Sequence, residues 1–216
     1  MASDVTPPLR SRGRPRAFDR AAALAKATRL FWEKGFEATS MADLTAAMGI
    51  GSPSLYAAFG SKESLYGEAL GYYRDTYEGL IWSHFFSKGT AREALECWLL
   101  DSAAALTGCL VDIPRGCMVT LSVVASDEHA DLGNLLRATR AVTLTRLIAR
   151  LDRAVEAQEL PSSVDVRALA RFMQTVQSGM SILARDGADR AELEAVAQLA
   201  MLGFDARIDA SRSSPI

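Results

Sequence analysis

Arg10, Arg12, Arg14 and Arg16 alternate with small or rigid residues in the stretch LRSRGRPR near the start of the chain. Gly13 and Pro15 keep such a segment extended, so its guanidinium groups can line a narrow anionic groove. Further along, Ser52-Pro53-Ser54-Leu55-Tyr56-Ala57 is followed by Lys62. A tyrosine hydroxyl, a lysine ammonium and the free N–H groups of a helix start all suit phosphate oxygens, which fix position on a polyanion without reading its sequence. The charge distribution agrees: residues 1–66 carry nine Lys+Arg against six Asp+Glu, and residues 67–216 carry fifteen against twenty, for a net charge of -2. A basic head on an acidic body implies a polyanionic partner for the head alone.

Other chemistries find little support. There is no nucleophile–base pair, metal cluster or phosphate-binding loop, so an enzyme, a cofactor and a metal site are not expected. His84 and His129 are too far apart in sequence for a local metal motif. The three cysteines, Cys97, Cys109 and Cys117, cannot all pair within one chain and are expected as reduced thiols. Cys109 and Cys117 nonetheless flank one turn, GCLVDIPRGCM, and a thiol at a helix start can have a lowered pKa; thiol-based redox sensing is an alternative. No apolar run approaches the roughly 20 residues of a membrane span and no apolar leader opens the chain, so a cytoplasmic protein without a membrane partner is expected.

The elements that must position these groups read as helices almost throughout. Apolar residues recur at helical spacing in Leu24, Ala27, Phe31, in Leu95, Trp98, Leu99, Leu106, and in Leu169, Phe172, Met173, Val176, Met180, Leu183. The β-branched stretch at 119–124 has no partner strand and is read as a buried helix. The fold class is therefore all-α, with breaks at 87–90, 112–116, 160–163 and 186–188. Between Asp19 and Gly71 the stop and start signals are dense. Asp19 caps a first helix ending at Gly35, and Ser40 caps a second, with Asp43 as the acid of a capping box. Ser52 is expected to cap a two-turn third helix with Pro53 at its first position, and Ser61 to cap a fourth. Two short helices joined by a glycine-containing turn form the helix-turn-helix layout, whose second helix enters a DNA major groove.

The segment KGFEATSMADLTAAMGIGSPSLYAAFGSKESLYGEAL resembles the N-terminal DNA-binding segment of the TetR family of bacterial transcriptional regulators. The resemblance rests on Gly35-Phe36, Thr39, Leu44, Ala47, Gly49-Ile50, Leu55-Tyr56, Phe59, Lys62-Glu63 and Leu65. It implies that Tyr56 and Lys62 clamp phosphates, with Thr39 and Ser40 helping at the start of the second helix. Leu55 and Phe59 lie four apart and anchor the third helix, leaving Ser52, Pro53, Ser54, Tyr56 and Ala57 to face outward. One departure from the family pattern stands out: from Gly49 to Phe59 there is no charged residue, Asn, Gln or His, the groups that make strong bidentate base contacts. Base reading is expected to lean on Ser52 and Ser54 hydroxyls, on Pro53 or Ala57 against thymine methyls, and on DNA shape. Arg12, Arg14 and Arg16 resemble a minor-groove arm that adds A·T preference.

The expected division is an arm at 1–17, the DNA-binding head at 18–66, a helical effector-binding and dimerisation body at 67–206, and a disordered tail at 207–216. The resemblance implies a ligand-responsive regulator, usually a repressor, that binds a palindromic double-stranded operator. The helices 165–185 and 189–205 must pack antiparallel across their short turn, and their stripes suit an intersubunit four-helix bundle in a homodimer. Trp82, Phe86, Trp98, Met118, Phe172 and Met173 are the candidate walls of a pocket for a largely hydrophobic small-molecule effector. An A·T-preferring architectural protein that senses no ligand is the alternative.

Overall fold

The computed structural model describes residues 19–122 and 129–213, so Arg12, Arg14 and Arg16 lie outside the described residues. Ten helices and no strand occur among the described residues. The head consists of α1 (Arg20–Lys34), α2 (Met41–Met48) and α3 (Ser52–Phe59), and α4 (Lys62–Tyr77) leads out of it. The body follows as α5 (Gly79–Ser87), α6 (Ala91–Leu106), the short α7 (Met118–Leu121), α8 (Ala130–Glu156), α9 (Val166–Asp186) and α10 (Arg190–Ser213).

Local chemistry explains where the head helices start and stop. The Asp19 side chain accepts from Ala22 N at 3.0 Å and opens α1. Ser40 and Asp43 form a reciprocal capping box on α2, and Gly49 closes that helix in the left-handed region at φ +72°. The Ser61 hydroxyl accepts from Ser64 N at 3.1 Å and opens α4. One expected cap is corrected: Gly51, extended at φ −78° and ψ 156°, is the N-cap of α3, so Ser52 and Pro53 are its first two helical residues. The Ser52 hydroxyl is thereby released from capping.

Two hydrophobic cores run through the described residues. The first packs α1 to α4 through Phe31, Phe36, Leu44, Leu55, Phe59 and Tyr66, and it continues into the body through Met118, Val119, Leu132 and Leu136. The second lies among α5, α6, α8, α9 and α10 around Trp98, Leu147, Met173, Met180 and Phe204. Head and body thus share buried side chains across the boundary at about residue 66. The stretch 119–124 is helical as far as Leu121, and its end lies outside the described residues. The expected disordered tail is a second correction. The α10 helix runs to Ser213 because Ile208 and Ser211 continue its buried stripe beyond Phe204, and Ser163 Oγ donates to Ser211 O at 2.7 Å. No described helix is long and apolar enough to cross a membrane.

Candidate nucleic-acid interface and effector cavity

The α3 helix shows two faces. Leu55 and Phe59 are buried in the head core, while Ser52, Pro53, Ser54, Tyr56 and Ala57 are exposed. Tyr56 is 51% exposed, which leaves its hydroxyl free to reach beyond the protein surface. Arg20 fixes the far end of this helix. It donates from Nε and Nη2 to Ala58 O at 3.3 and 3.2 Å, stacks 4.4 Å from the Phe59 ring centre, and forks onto Glu68 at 2.7 and 2.8 Å. The sequence offers no local signal for Arg20, because its partners are 38 and 48 residues away.

At the start of α2 the expected pair separates. Ser40 is exposed, but its hydroxyl is engaged with Asp43 at 2.9 Å. Thr39 is fully buried and its hydroxyl donates to Gly35 O at 2.6 Å, so it organises the turn and does not offer its side chain to a ligand. Hydrogen bonds from the Ser40 backbone and hydroxyl, with Lys34 beside them, hold the Asp43 carboxyl down at about 2. Lys62 is half-buried, with its ammonium 4.3 Å from the centre of the Phe36 ring.

A cavity of about 320 Å³ opens between head and body, walled by the aromatic rings of Trp32, Tyr73, Tyr77, Trp82 and Trp98. Its polar wall includes Glu78, Arg140, Thr143, Arg146, Gln174, Gln177 and Ser178. Arg146 pairs with Glu78 and stacks 4.9 Å from the Trp82 ring; burial, with Arg74 nearby, pulls its guanidinium below the ordinary value. Of the six expected pocket residues, Trp82 and Trp98 line the cavity. The other four are corrected. Met173 is buried in the body core, Met118 in the head core, Phe86 lies exposed against Trp82, and Phe172 is 43% exposed on the outer face of α9. Helical spacing places an apolar residue on a face but does not say whether that face meets core, cavity or surface.

Residues 23–69 match the sequence profile of bacterial regulatory proteins of the TetR family. The chain is 38% identical over 201 residues to the HTH-type transcriptional repressor ComR of Escherichia coli (strain K12), covering 91% of this chain and 94% of that one. It is 34% identical over 192 residues to the HTH-type transcriptional repressor BdcR of the same organism, covering 87% and 90% of the two chains. The chain belongs to the TetR family. Among solved structures, a cysteine mutant of the TetR family regulator CifR in complex with 26-bp double-strand operator DNA is similar at a TM-score of 0.82 and 37% identity, covering 88% of this chain and 98% of that one. As a TetR-family protein it is a DNA-binding transcriptional regulator and not an enzyme.

The junction between head and body of this TetR-family regulator is held by a dense set of contacts. Trp32 of α1 donates from Nε1 to Gly116 O at 2.9 Å, and Arg29 reaches Asp112 O at 2.9 Å. Arg185 of α9 donates to Trp32 O at 2.8 Å, Glu33 O at 3.0 Å and Arg115 O at 2.8 Å. From α4, the Tyr66 hydroxyl donates to Ser122 Oγ at 2.6 Å, and the Tyr73 hydroxyl donates to Cys117 Sγ at 3.3 Å. Burial, and then the neighbouring Cys117, push the Tyr73 phenol well above its ordinary value. Gly116 makes this junction possible: at φ +78° a Cβ would sit 2.8 Å from Ser181 O and 2.5 Å from Leu121 Cδ1. The two cysteines flanking the turn differ in setting. Cys117 lies half-buried in the cavity wall and Cys109 is exposed beside the Thr107 hydroxyl at 3.2 Å.

Proposed function

We propose that this TetR-family protein is a cytoplasmic homodimeric repressor that binds an inverted-repeat operator and releases it when a largely hydrophobic small molecule occupies the cavity. The observation that carries the reading is a shared wall: Trp32 of α1 and Tyr73 and Tyr77 of α4, elements of the head and its exit helix, face the same cavity as Trp82 and Trp98 of the body. A ligand that prefers one position of those rings biases the position of the head, by an amount set by its differential affinity for the two states. The relatives ComR and BdcR are repressors by name, and the CifR complex contains operator DNA; both support the reading for this chain.

On DNA, the exposed face of α3 enters the major groove. Ser52 and Ser54 hydroxyls, Pro53 and Ala57 meet base edges, while Tyr56 and Lys62 meet phosphates. Arg12, Arg14 and Arg16 follow the adjacent minor groove. Two copies are needed, because one two-turn helix reads too few base pairs, whereas two helices about 34 Å apart read a palindrome. The outer face of α9 and α10 supplies the contact between copies. It exposes Phe172, Ile182, Leu183, Leu199 and Leu202, with Leu199 at 68% and Leu202 at 64%. A Cβ built at Gly179 on the same helix pair would meet nothing within 4 Å, which leaves room for a partner helix.

The test is fluorescence anisotropy with fragments from the protein's own upstream region. Expected are binding to one palindromic fragment, release by some pool of cellular metabolites, and loss of that release in Thr143→Trp, which fills the cavity. Binding without palindromic preference that no metabolite pool relieves would favour an architectural A·T binder and overturn the proposal.

A further inference from the structure

The chemical class of the effector follows from which polar groups of the cavity wall are left unused, on the footing that this cavity is the effector site. Among the described residues, Trp98 Nε1, Ser102 Oγ and Arg115 Nε are buried polar atoms with neither a partner nor access to solvent. Gln177 differs from them. It is only 6% exposed, it lines the cavity, and its carboxamide makes no hydrogen bond within the described residues, yet its atoms are not sealed. The access that the amide retains is access to the cavity.

The other carboxamide and the guanidinium groups of the wall already have partners. Gln174, one turn earlier on α9, donates to Arg140 O at 3.1 Å. Arg140 donates to the carbonyls of Val119 and Ser122, Arg146 is paired with Glu78, and Arg74 with Asp75. Arg140 differs in charge, since its partners are neutral carbonyls, but its Nε and Nη2 are spent on them. Every described cation of the wall thus already has a partner, and an anion would have to compete with that partner or lie unpaired, which is costly. A hydrocarbon would fit the rings but leave a buried carboxamide without partners, which costs the full desolvation of that group. The space is at the small end of the roughly 300–1,000 Å³ of ligand pockets, so the molecule is compact.

We propose that the effector is an uncharged aromatic amide or lactam whose N–H and C=O edge pairs with the Gln177 carboxamide, while its ring lies among Trp32, Tyr73, Tyr77 and Trp82. A carboxamide offers an acceptor and donors side by side, and an amide edge answers both at once. The Thr143 and Ser178 hydroxyls, also on the wall, serve a second polar substituent.

Four near-isosteric probes test the class by calorimetric titration of the full-length protein: benzamide, acetophenone, benzoate and ethylbenzene. Benzamide is expected to bind tightest, about tenfold better than ethylbenzene for its two hydrogen bonds, with acetophenone between them and benzoate weakest. Gln177→Leu is expected to erase the advantage of benzamide and leave ethylbenzene unchanged or improved. Benzoate matching benzamide overturns the uncharged class. Equal affinities for benzamide and ethylbenzene, or an unchanged ranking in Gln177→Leu, overturn the role of Gln177. The wild-type ranking decides the class by itself if the variant does not fold, and absence of binding by all four also overturns it. The reading of the cavity as effector site fails separately, when Thr143→Trp leaves metabolite-driven operator release intact.

Discussion

Arg185 offers the sharpest perturbation of the junction that links cavity to DNA. Its three donors satisfy Trp32 O and Glu33 O in the last turn of α1, where helical carbonyls lack intrahelical partners, and Arg115 O in the segment before α7. A cation at a helix C-terminus also meets the negative end of the helix dipole. Arg185→Met keeps most of the aliphatic stem and removes all three bonds together. A hydrogen bond from a charged donor contributes about 1.5–3 kcal/mol when buried, but Arg185 is only half-buried, so the three together are worth roughly 2–4 kcal/mol rather than their simple sum. For a chain of this size each kcal/mol moves Tm by about 2–4 °C, so scanning calorimetry should show a fall of roughly 4–16 °C. Arg185→Lys retains the charge but not the fork, and it is expected to recover less than half of the loss. A melting point within about 2 °C of the parent for Arg185→Met would falsify the view that this side chain ties the head to the body.

Four further outcomes follow from named contacts. Gly116→Ala is expected to lose about 3 kcal/mol or more in urea unfolding, because a Cβ would press on the fixed Ser181 carbonyl at a left-handed φ. The Asp43 carboxyl, held at about 2, titrates in unfolded chains near about 3.9. Its contribution is therefore present above about pH 4 and lost as pH falls toward about pH 2, so Asp43→Asn should flatten the urea midpoint across that window. Tyr56→Phe and Lys62→Gln should leave the melting point within about 2 °C while weakening operator binding, with Lys62→Gln lowering the slope of log affinity against log salt by about one. Deleting residues 1–16 should weaken operator binding and flatten its salt dependence; isotherms matching full length at several salt concentrations would remove the arm from the interface.

Much of the head is legible in the sequence, because its signals are local. A capping residue and the helix it opens are neighbours in sequence, so Asp19, Ser40 with Asp43, and Ser61 could be read directly. So could the alternation of buried Leu55 and Phe59 with exposed Tyr56. The misses were also physical. Whether Ser52 or Gly51 caps α3 depends on the dihedrals of a glycine, which both assignments permit. Thr39 belongs to the family pattern, but its hydroxyl is used by Gly35 O, a bond that exists only once the turn closes. The pocket was the least legible part. Met118, Met173 and Phe172 have the apolarity of a wall, but they sit in the head core, the body core and the outer face respectively.

Composition and spacing alone determined an all-α chain, a basic head on an acidic body, and a helix-turn-helix layout, since helix periodicity, caps and net charge are properties of neighbours along the chain, while the TetR assignment rests on the resemblance of that segment's residues to the family. Only the tertiary structure decided that Trp32 and Gln177, 145 positions apart, border one cavity, and that Arg20 and Arg185 bind the carbonyls of distant helices. A cavity is space left over when long-range packing is complete, and an orphaned carboxamide is defined by partners that never arrive. Both depend on the relative placement of whole helices, to which no window of sequence has access.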